Sequence, residues 1–208
     1  VYQDERIVVA IKPAGVISTD VRNGMPELLR RQLHTDCIRT VHRLDAPVSG
    51  LMVLARSSRA AAEISAQIRD GAFSKAYLAV LRGVPQEMSG ELIDLLGRDR
   101  ERRMTYVADA PGKGVQEARL RYEVLAVRDG LSLVRVELLT GRTHQIRVQF
   151  ASRGLPLAGD RRYGSPGDLL SPIALWSAHL SFRHPETGAE MTFDRQPPAI
   201  PPWDVFGI

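Results

Sequence analysis

Thr40-Val41-His42-Arg43-Leu44-Asp45-Ala46-Pro47-Val48-Ser49-Gly50-Leu51-Met52-Val53-Leu54-Ala55-Arg56 sets a single carboxylate between an Arg and a Pro in a tight connection. The connection runs through Ser49-Gly50 into an aliphatic, partly β-branched run that suits a buried strand. Asp45 is therefore expected on a loop held by a rigid scaffold, where reacting groups tend to be carried. On local residues alone, an Asp two positions from an Arg is equally a turn residue or half of a solvated ion pair. A second stretch is needed to decide between these readings.

That stretch is Leu139-Thr140-Gly141-Arg142-Thr143-His144-Gln145-Ile146-Arg147-Val148, followed by Gly154-Leu155-Pro156-Leu157-Ala158-Gly159-Asp160-Arg161-Arg162-Tyr163-Gly164. Neither run is of low complexity, and they lie about a hundred residues beyond the first. With His-Arg-Leu-Asp and Gly-Arg-Thr-His-Gln-Ile-Arg in this order, the chain resembles the pseudouridine synthases of the RluA branch, which modify structured RNA. The resemblance covers roughly residues 4–195.

The bounds agree with such a protein. In 208 residues, 44% are apolar, enough for a sizeable core in one large domain or two small ones. The net charge of +4 permits an anionic partner, and Lys occurs only at Lys12, Lys75 and Lys113, so Arg supplies most of the positive charge. Codon bias toward Arg explains that preference equally well. Cys37 is alone, which excludes an intramolecular disulfide and a thiolate metal site and fits a reducing, cytoplasmic setting. No apolar run reaches the roughly 18 residues of a membrane helix, and the N-terminus lacks a signal pattern. The chain begins at Val1, so residues upstream can be missing from it.

Along the chain, Ile7–Ile11 predicts a short strand stopped by Lys12-Pro13-Ala14-Gly15. Lys12 reads either as a solvated turn residue or as a neighbour of the phosphate path. Residues 24–34 predict a helix with Leu28, Leu29 and Leu33 on one face, and Ser57-Ser58 cap another carrying Ala61, Ile64 and Ile68, ended by Gly71. Residues 74–83 predict a strand bearing Tyr77. Residues 84–118, punctuated by Gly and Pro and carrying Arg98, Arg100, Arg102 and Arg103, read as short strands and mobile loops, either a solvated face or an RNA contact. Leu120–Val127 and Leu131–Leu139 form a hairpin through Asp129-Gly130. Thr140 or Thr143 then caps a helix with Ile146 and Phe150 inward, ended by Gly154. Trp176–Phe182 and Met191–Phe193 are strands around a turn at 184–188, and the Pro-rich tail from Pro197 is expected to pack extended on the surface. The pattern predicts an α+β fold: a mixed, largely antiparallel central sheet flanked by helices. The resemblance implies one catalytic domain over residues 1–208, of two sub-lobes around a central cleft.

Five scattered His residues without Cys or carboxylate partners at ligand spacing argue against a metal. The reaction implied by the resemblance breaks the N1–C1′ bond of uridine, turns the uracil and rejoins it through C5. It has no net redox change and needs neither cofactor nor metal. A charged carboxylate suits it, since ionised oxygen can attack the sugar or take its proton. The resemblance therefore implies Asp45 as the catalytic carboxylate and Arg147 as its charge partner. It makes Tyr77 the aromatic against the base and Arg43 the group entering the stack vacated by the flipped nucleotide. His42, Arg142, Thr143 and Ile146 are expected with Arg43 among the substrate-binding positions. The expected partner is ribosomal or transfer RNA, with the chain a monomer and no membrane involved.

The chain departs from the family pattern at Val48, Gln149 and Trp176-Ser177, where Thr, His and Leu-His are common; the Trp bears on pocket shape and so on substrate choice. Two other classes stay open. One is a catalytically idle RNA-binding or chaperone module on the same fold. The other is a carboxylate-dependent hydrolase, which usually needs paired carboxylates, whereas Asp160 reads as structural.

Overall fold

The computed structural model describes residues 1–164 and 172–208. In chain order its strands and helices are β1 (Tyr2–Gln3), β2 (Ile7–Lys12), α1 (Met25–Leu33), β3 (Arg39–Thr40), β4 (Ser49–Ala55), α2 (Ser58–Arg69) and β5 (Ser74–Arg82). There follow β6 (Ser89–Asp99), β7 (Met104–Val107), β8 (Gln116–Arg128), β9 (Leu131–Leu138), α3 (Gln145–Ala151), β10 (Leu175–Arg183) and β11 (Glu190–Asp194). The chain divides into two compact units, Val1–Lys75 with Trp176–Gln196, and Ala76–Leu175 with Pro197–Ile208.

In the first unit β4 is the hub. It pairs antiparallel with β2 and β3 and parallel with β10, and β10 pairs antiparallel with β11. Strand alternation sends Ile7 and Val9, with Leu51, Val53 and Ala55, to one face, where Ala60 and Ile64 of α2 close over them with Leu180 and Phe182. Val8, Met52 and Leu54 point the other way, onto Met25 and Leu29 of α1. With both faces covered, β4 can be apolar at nearly every position, which is why its sequence is an aliphatic run instead of an alternation. On α1 the inward positions are Met25 and Leu29, with Leu33 partly buried, at steps of four; Leu28 is only half-buried. Ser57 caps α2 by accepting the Ala60 N–H at 3.1 Å, as predicted.

In the second unit β5, β9, β8, β6 and β7 are joined in that order, every pair antiparallel. The mixed, largely antiparallel sheet expected from sequence is thus present. The predicted β8–β9 hairpin turns through Asp129 and Gly130, at φ 52° and 72°, the left-handed pair that a two-residue turn between twisted strands requires.

Three expectations are corrected. Residues 84–118 do contain a short strand, β7, and loops, but they also hold an eleven-residue strand, β6, against β8 from Ser89 to Leu96. Leu92 and Leu96 are buried on one face, with Asp94 between them, and Glu91 and Ile93 on the other face are exposed. Neither Thr140 nor Thr143 caps α3. The cap position is His144, left-handed at φ 55°, and Gln145 reaches back instead, its Oε1 accepting from the Arg142 N–H at 2.9 Å and the Thr140 hydroxyl at 2.8 Å. The Pro-rich tail does not stay extended on the surface: it turns at Trp203, which is 4% exposed.

Candidate active site

In the first unit, two loops hold the chain around Asp45. Ser18 Oγ accepts the Leu44 N–H at 3.0 Å and donates to the Leu44 carbonyl at 2.6 Å. The Ala46 carbonyl accepts from the Gly15 N–H at 2.7 Å and from Lys12 Nζ at 3.0 Å. The Asp45 carbonyl accepts from the Val48 N–H at 3.0 Å, closing the turn into β4. Three successive carbonyls are therefore partnered, and the Asp45 side chain stays half-exposed.

Lys12 is neither solvated nor on a phosphate path. It is fully buried, and its ammonium also donates to the carbonyls of Pro13 and Val16, at 2.8 and 2.7 Å. Burial pushes its pKa down to about 8, and the Asp45 charge partly offsets this. Gly50, at φ 118°, lets β4 start against β10: a Cβ there would lie 2.4 Å from the Ser177 carbonyl oxygen.

His42 and Arg43 precede Asp45 on the same loop and part company. Arg43 is exposed, whereas His42 is 8% exposed, its Nε2 accepting the Val53 N–H at 3.0 Å beside the Phe73 ring. Burial, with the Lys75 charge behind it, pushes the His42 pKa down to about 3, so the ring is neutral. It anchors the loop to β4 and offers a substrate little surface.

In the second unit the centre is Arg147, 4% exposed on α3. Its Nε and Nη2 donate to the two oxygens of Asp160 at 2.8 and 2.7 Å, a bidentate pair, and its guanidinium lies 5.2 Å from the Tyr163 ring centre. Asp160 Oδ1 also accepts the backbone N–H groups of Arg162 and Tyr163, at 2.9 and 3.2 Å. Burial pushes the Asp160 pKa up, but the Arg147 hydrogen bonds and charge and the two N–H groups outweigh it and hold the carboxyl below its ordinary value. The Tyr163 hydroxyl accepts the Thr105 N–H at 2.8 Å and shares a second hydrogen bond with His144 Nδ1, also at 2.8 Å, whose direction is set by the tautomer of the ring.

Of the other expected substrate-binding positions, Arg142 is half-buried and donates from Nε to the Glu117 carbonyl at 2.9 Å. The Thr143 hydroxyl lies 3.5 Å from Arg98 Nη1, and Ile146, 4% exposed, is packed inside the unit with little surface for a substrate. Tyr77 sits in β5 across from Val136, 5% exposed. Gln149, at a departure from the family pattern, donates from Nε2 to Asp94 at 2.7 Å. Trp176, at another, donates its indole N–H to the Arg195 carbonyl at 2.8 Å. Sequence reasoning missed Ser18 and the roles of Lys12 and Tyr163; for Asp160 it saw a structural residue without its Arg partner. Among the described residues, no three His, Cys, Asp or Glu side chains group as a metal site, and no helix is long and apolar enough to cross a membrane.

The model of the RNA pseudouridylate synthase family matches residues 6–152, the stretch that carries the Asp45 loop, Tyr77 and Arg147. The chain belongs to that family and is an enzyme that isomerises uridine to pseudouridine in RNA. It is similar to the ribosomal large subunit pseudouridine synthase D of Zymomonas mobilis, 32% identical over 95% of this chain and 68% of that one. It is also similar to the dual-specificity RNA pseudouridine synthase RluA of Escherichia coli, 33% identical over 92% of this chain and 90% of that one. Among solved structures, human RNA Pseudouridylate Synthase Domain Containing 1 superposes with a TM-score of 0.82 at 25% identity, over 97% of this chain and 84% of that one. Within the family, these relatives place the chain in the RluA branch.

Proposed function

We propose that Asp45 is the carboxylate that starts the isomerisation, by attack on the sugar or by taking its proton, and that the substrate is a uridine in ribosomal or transfer RNA. The observation that carries the reading is the Asp45 loop: the backbone on both sides is immobilised by Ser18, Gly15 and Lys12, while the carboxylate keeps access to solvent. A catalytic group needs this combination, because misplacement by an ångström is costly in rate. Arg147 is assigned to the same reaction as the cation that supports the charged carboxylate, and Tyr77 as the ring against the uracil. Arg43, exposed on the Asp45 loop, replaces the stacking lost when the nucleotide flips out. Arg142 and Thr143 are assigned to substrate contact, whereas His42 and Ile146 act through the loop and helix they anchor. The names of relatives acting on ribosomal RNA support that RNA class, and the dual-specificity relative shows that one such enzyme can take more than one target. The whole chain acts as one catalytic domain and as a monomer in the cytoplasm. Carboxylate chemistry without net redox change calls for no metal, so EDTA is expected to leave the rate unchanged.

Purified protein, and separately Asp45→Asn, incubated with total RNA from a strain lacking the gene, tests the reading through new pseudouridines mapped as reverse-transcription stops at chemical adducts. New stops with wild type alone support it and name the target. Equal stops with Asp45→Asn would remove Asp45 from the chemistry.

A further inference from the structure

The geometry points to Ser18 as a positioning residue for Asp45, a role that rests on the reading of Asp45 as the catalytic carboxylate. Ser18 is 2% exposed and lies 26 residues before the loop it holds. Its one oxygen accepts from the N–H of Leu44 and donates to the C=O of the same residue. That pair of bonds is what an opposing strand residue would supply, delivered by a side chain. The Leu44 carbonyl belongs to the peptide plane that also holds the Asp45 nitrogen and ends at the Asp45 Cα. Fixing it fixes the plane from which the Asp45 Cα departs.

On the other side of Asp45, the Ala46 carbonyl is fixed independently by Gly15 and Lys12. Ser18 is itself held from behind, its carbonyl accepting from Thr40 Oγ1 at 3.0 Å. The clamp is thus built from main-chain and side-chain groups at Thr40, Ser18 and Leu44, without a charge. A hydroxyl at position 18 is needed because only it can donate and accept at once on so short a stem. An Ala would leave the Leu44 N–H and C=O, beneath a side chain only 6% exposed, without this partner. Loss of the clamp lets the peptide plane tilt, so the carboxylate samples positions away from the sugar. The step damaged is the chemical one; the exposed Arg43, which meets the RNA, is untouched.

The test compares wild type, Ser18→Ala, Ser18→Thr, Thr40→Val and Asp45→Asn on total RNA carrying 5-tritiated uridine from a strain lacking the gene. Tritium release at saturating RNA and the RNA concentration for half-maximal rate are measured, with the melting temperature of each protein. Ser18→Ala is expected to lower the saturating rate about 10- to 100-fold with the half-saturating concentration within about threefold of wild type. Ser18→Thr, which keeps the hydroxyl, is expected to recover to within about fivefold, and Thr40→Val to fall between them. A saturating rate for Ser18→Ala equal to wild type, or a loss in half-saturation alone, overturns the inference. Should Ser18→Ala fail to fold, Thr40→Val decides by the same two readouts. Tritium release by Asp45→Asn at the wild-type rate would instead bring down the reading of Asp45, so the two failures are told apart.

Discussion

Asp45 and Arg147 are both held firmly, but by opposite means. The Asp45 loop is fixed through its main chain, with Ser18, Gly15 and Lys12 binding the backbone of Leu44 and Ala46. Arg147 is fixed through its side chain, gripped by the Asp160 carboxylate and bounded by the Tyr163 ring. The difference follows from where each sits. A loop has free peptide groups that need partners and can be used as handles, whereas buried Arg147 presents a planar fork of donors that a carboxylate can grip directly. Removing a clamp in the first unit should therefore move a group without exposing a buried charge. Removing one in the second disturbs a buried charge directly.

The largest expected effect breaks the second arrangement. Asp160→Ala deletes the carboxylate bound bidentately to a guanidinium only 4% exposed, and breaking such a pair costs about 3–5 kcal/mol. Chemical denaturation of the variant against wild type measures it. The pH dependence has a defined sign. The Asp160 pKa is lower in the folded chain than the ordinary carboxylate value, so its stabilisation is complete above about pH 4 and is lost as pH falls through the folded value. The difference between wild type and Asp160→Asn should shrink only in acid.

Gly50→Ala attacks the first arrangement at its base. The new Cβ would meet the Ser177 nitrogen at 2.5 Å and its carbonyl oxygen at 2.4 Å, at a φ of 118° that side chains avoid. Strain and overpacking together are expected to cost about 2–4 kcal/mol. Loss of the saturating rate should accompany it, because the turn from Asp45 into β4 shifts; a variant of wild-type stability and rate would show that β4 and β10 can part at no cost.

Much of this was legible in sequence, and the rest was not for identifiable reasons. β2, β4, α2 and the β8–β9 hairpin follow from local pattern, capping at Ser57 and the Asp129-Gly130 turn. β6 was missed because neither of its faces is cleanly apolar or polar: Asp94 and Arg98 share the face of buried Leu92 and Leu96, while exposed Ile93 shares the face of Glu91, so its charges read like those of a loop. Gly97 added to that impression, yet it is a strand glycine lying under the Tyr106 ring, which a Cβ would approach to 2.4 Å. At the site, Asp45 and Arg147 came from motifs. The functions of Lys12 and Ser18 depend on contacts 34 and 26 residues away, and no local periodicity encodes a buried ammonium aimed at three carbonyls.

Lys12 sharpens the comparison, because its clamp is charged while that of Ser18 is not. Its pKa falls from 10.5 to about 8 on folding, so between those values the unfolded chain holds more protons than the native one. Its contribution to stability is therefore fully favourable above about pH 10.5, declines as pH falls toward 8, and is constant below. The span is on the order of 3 kcal/mol. Denaturation of wild type and Lys12→Met from pH 7 to 10.5 should give a difference that drifts in favour of wild type as pH rises. A flat difference would mean that the ammonium pays no desolvation cost.

The smallest effect separates the two parts of the Arg147 grip. Tyr163→Phe keeps the ring beneath the guanidinium but removes the hydroxyl that receives the Thr105 N–H and hydrogen-bonds His144 Nδ1. If the ring serves Arg147 and the hydroxyl serves the β7 connection, the variant should lose about 1–2 kcal/mol of stability while its saturating rate stays near that of wild type. Tyr163→Leu, lacking the aromatic face, should add a fall in rate. A rate loss already complete in Tyr163→Phe would place the hydroxyl, and through it the left-handed His144 at the start of α3, in control of where Arg147 points.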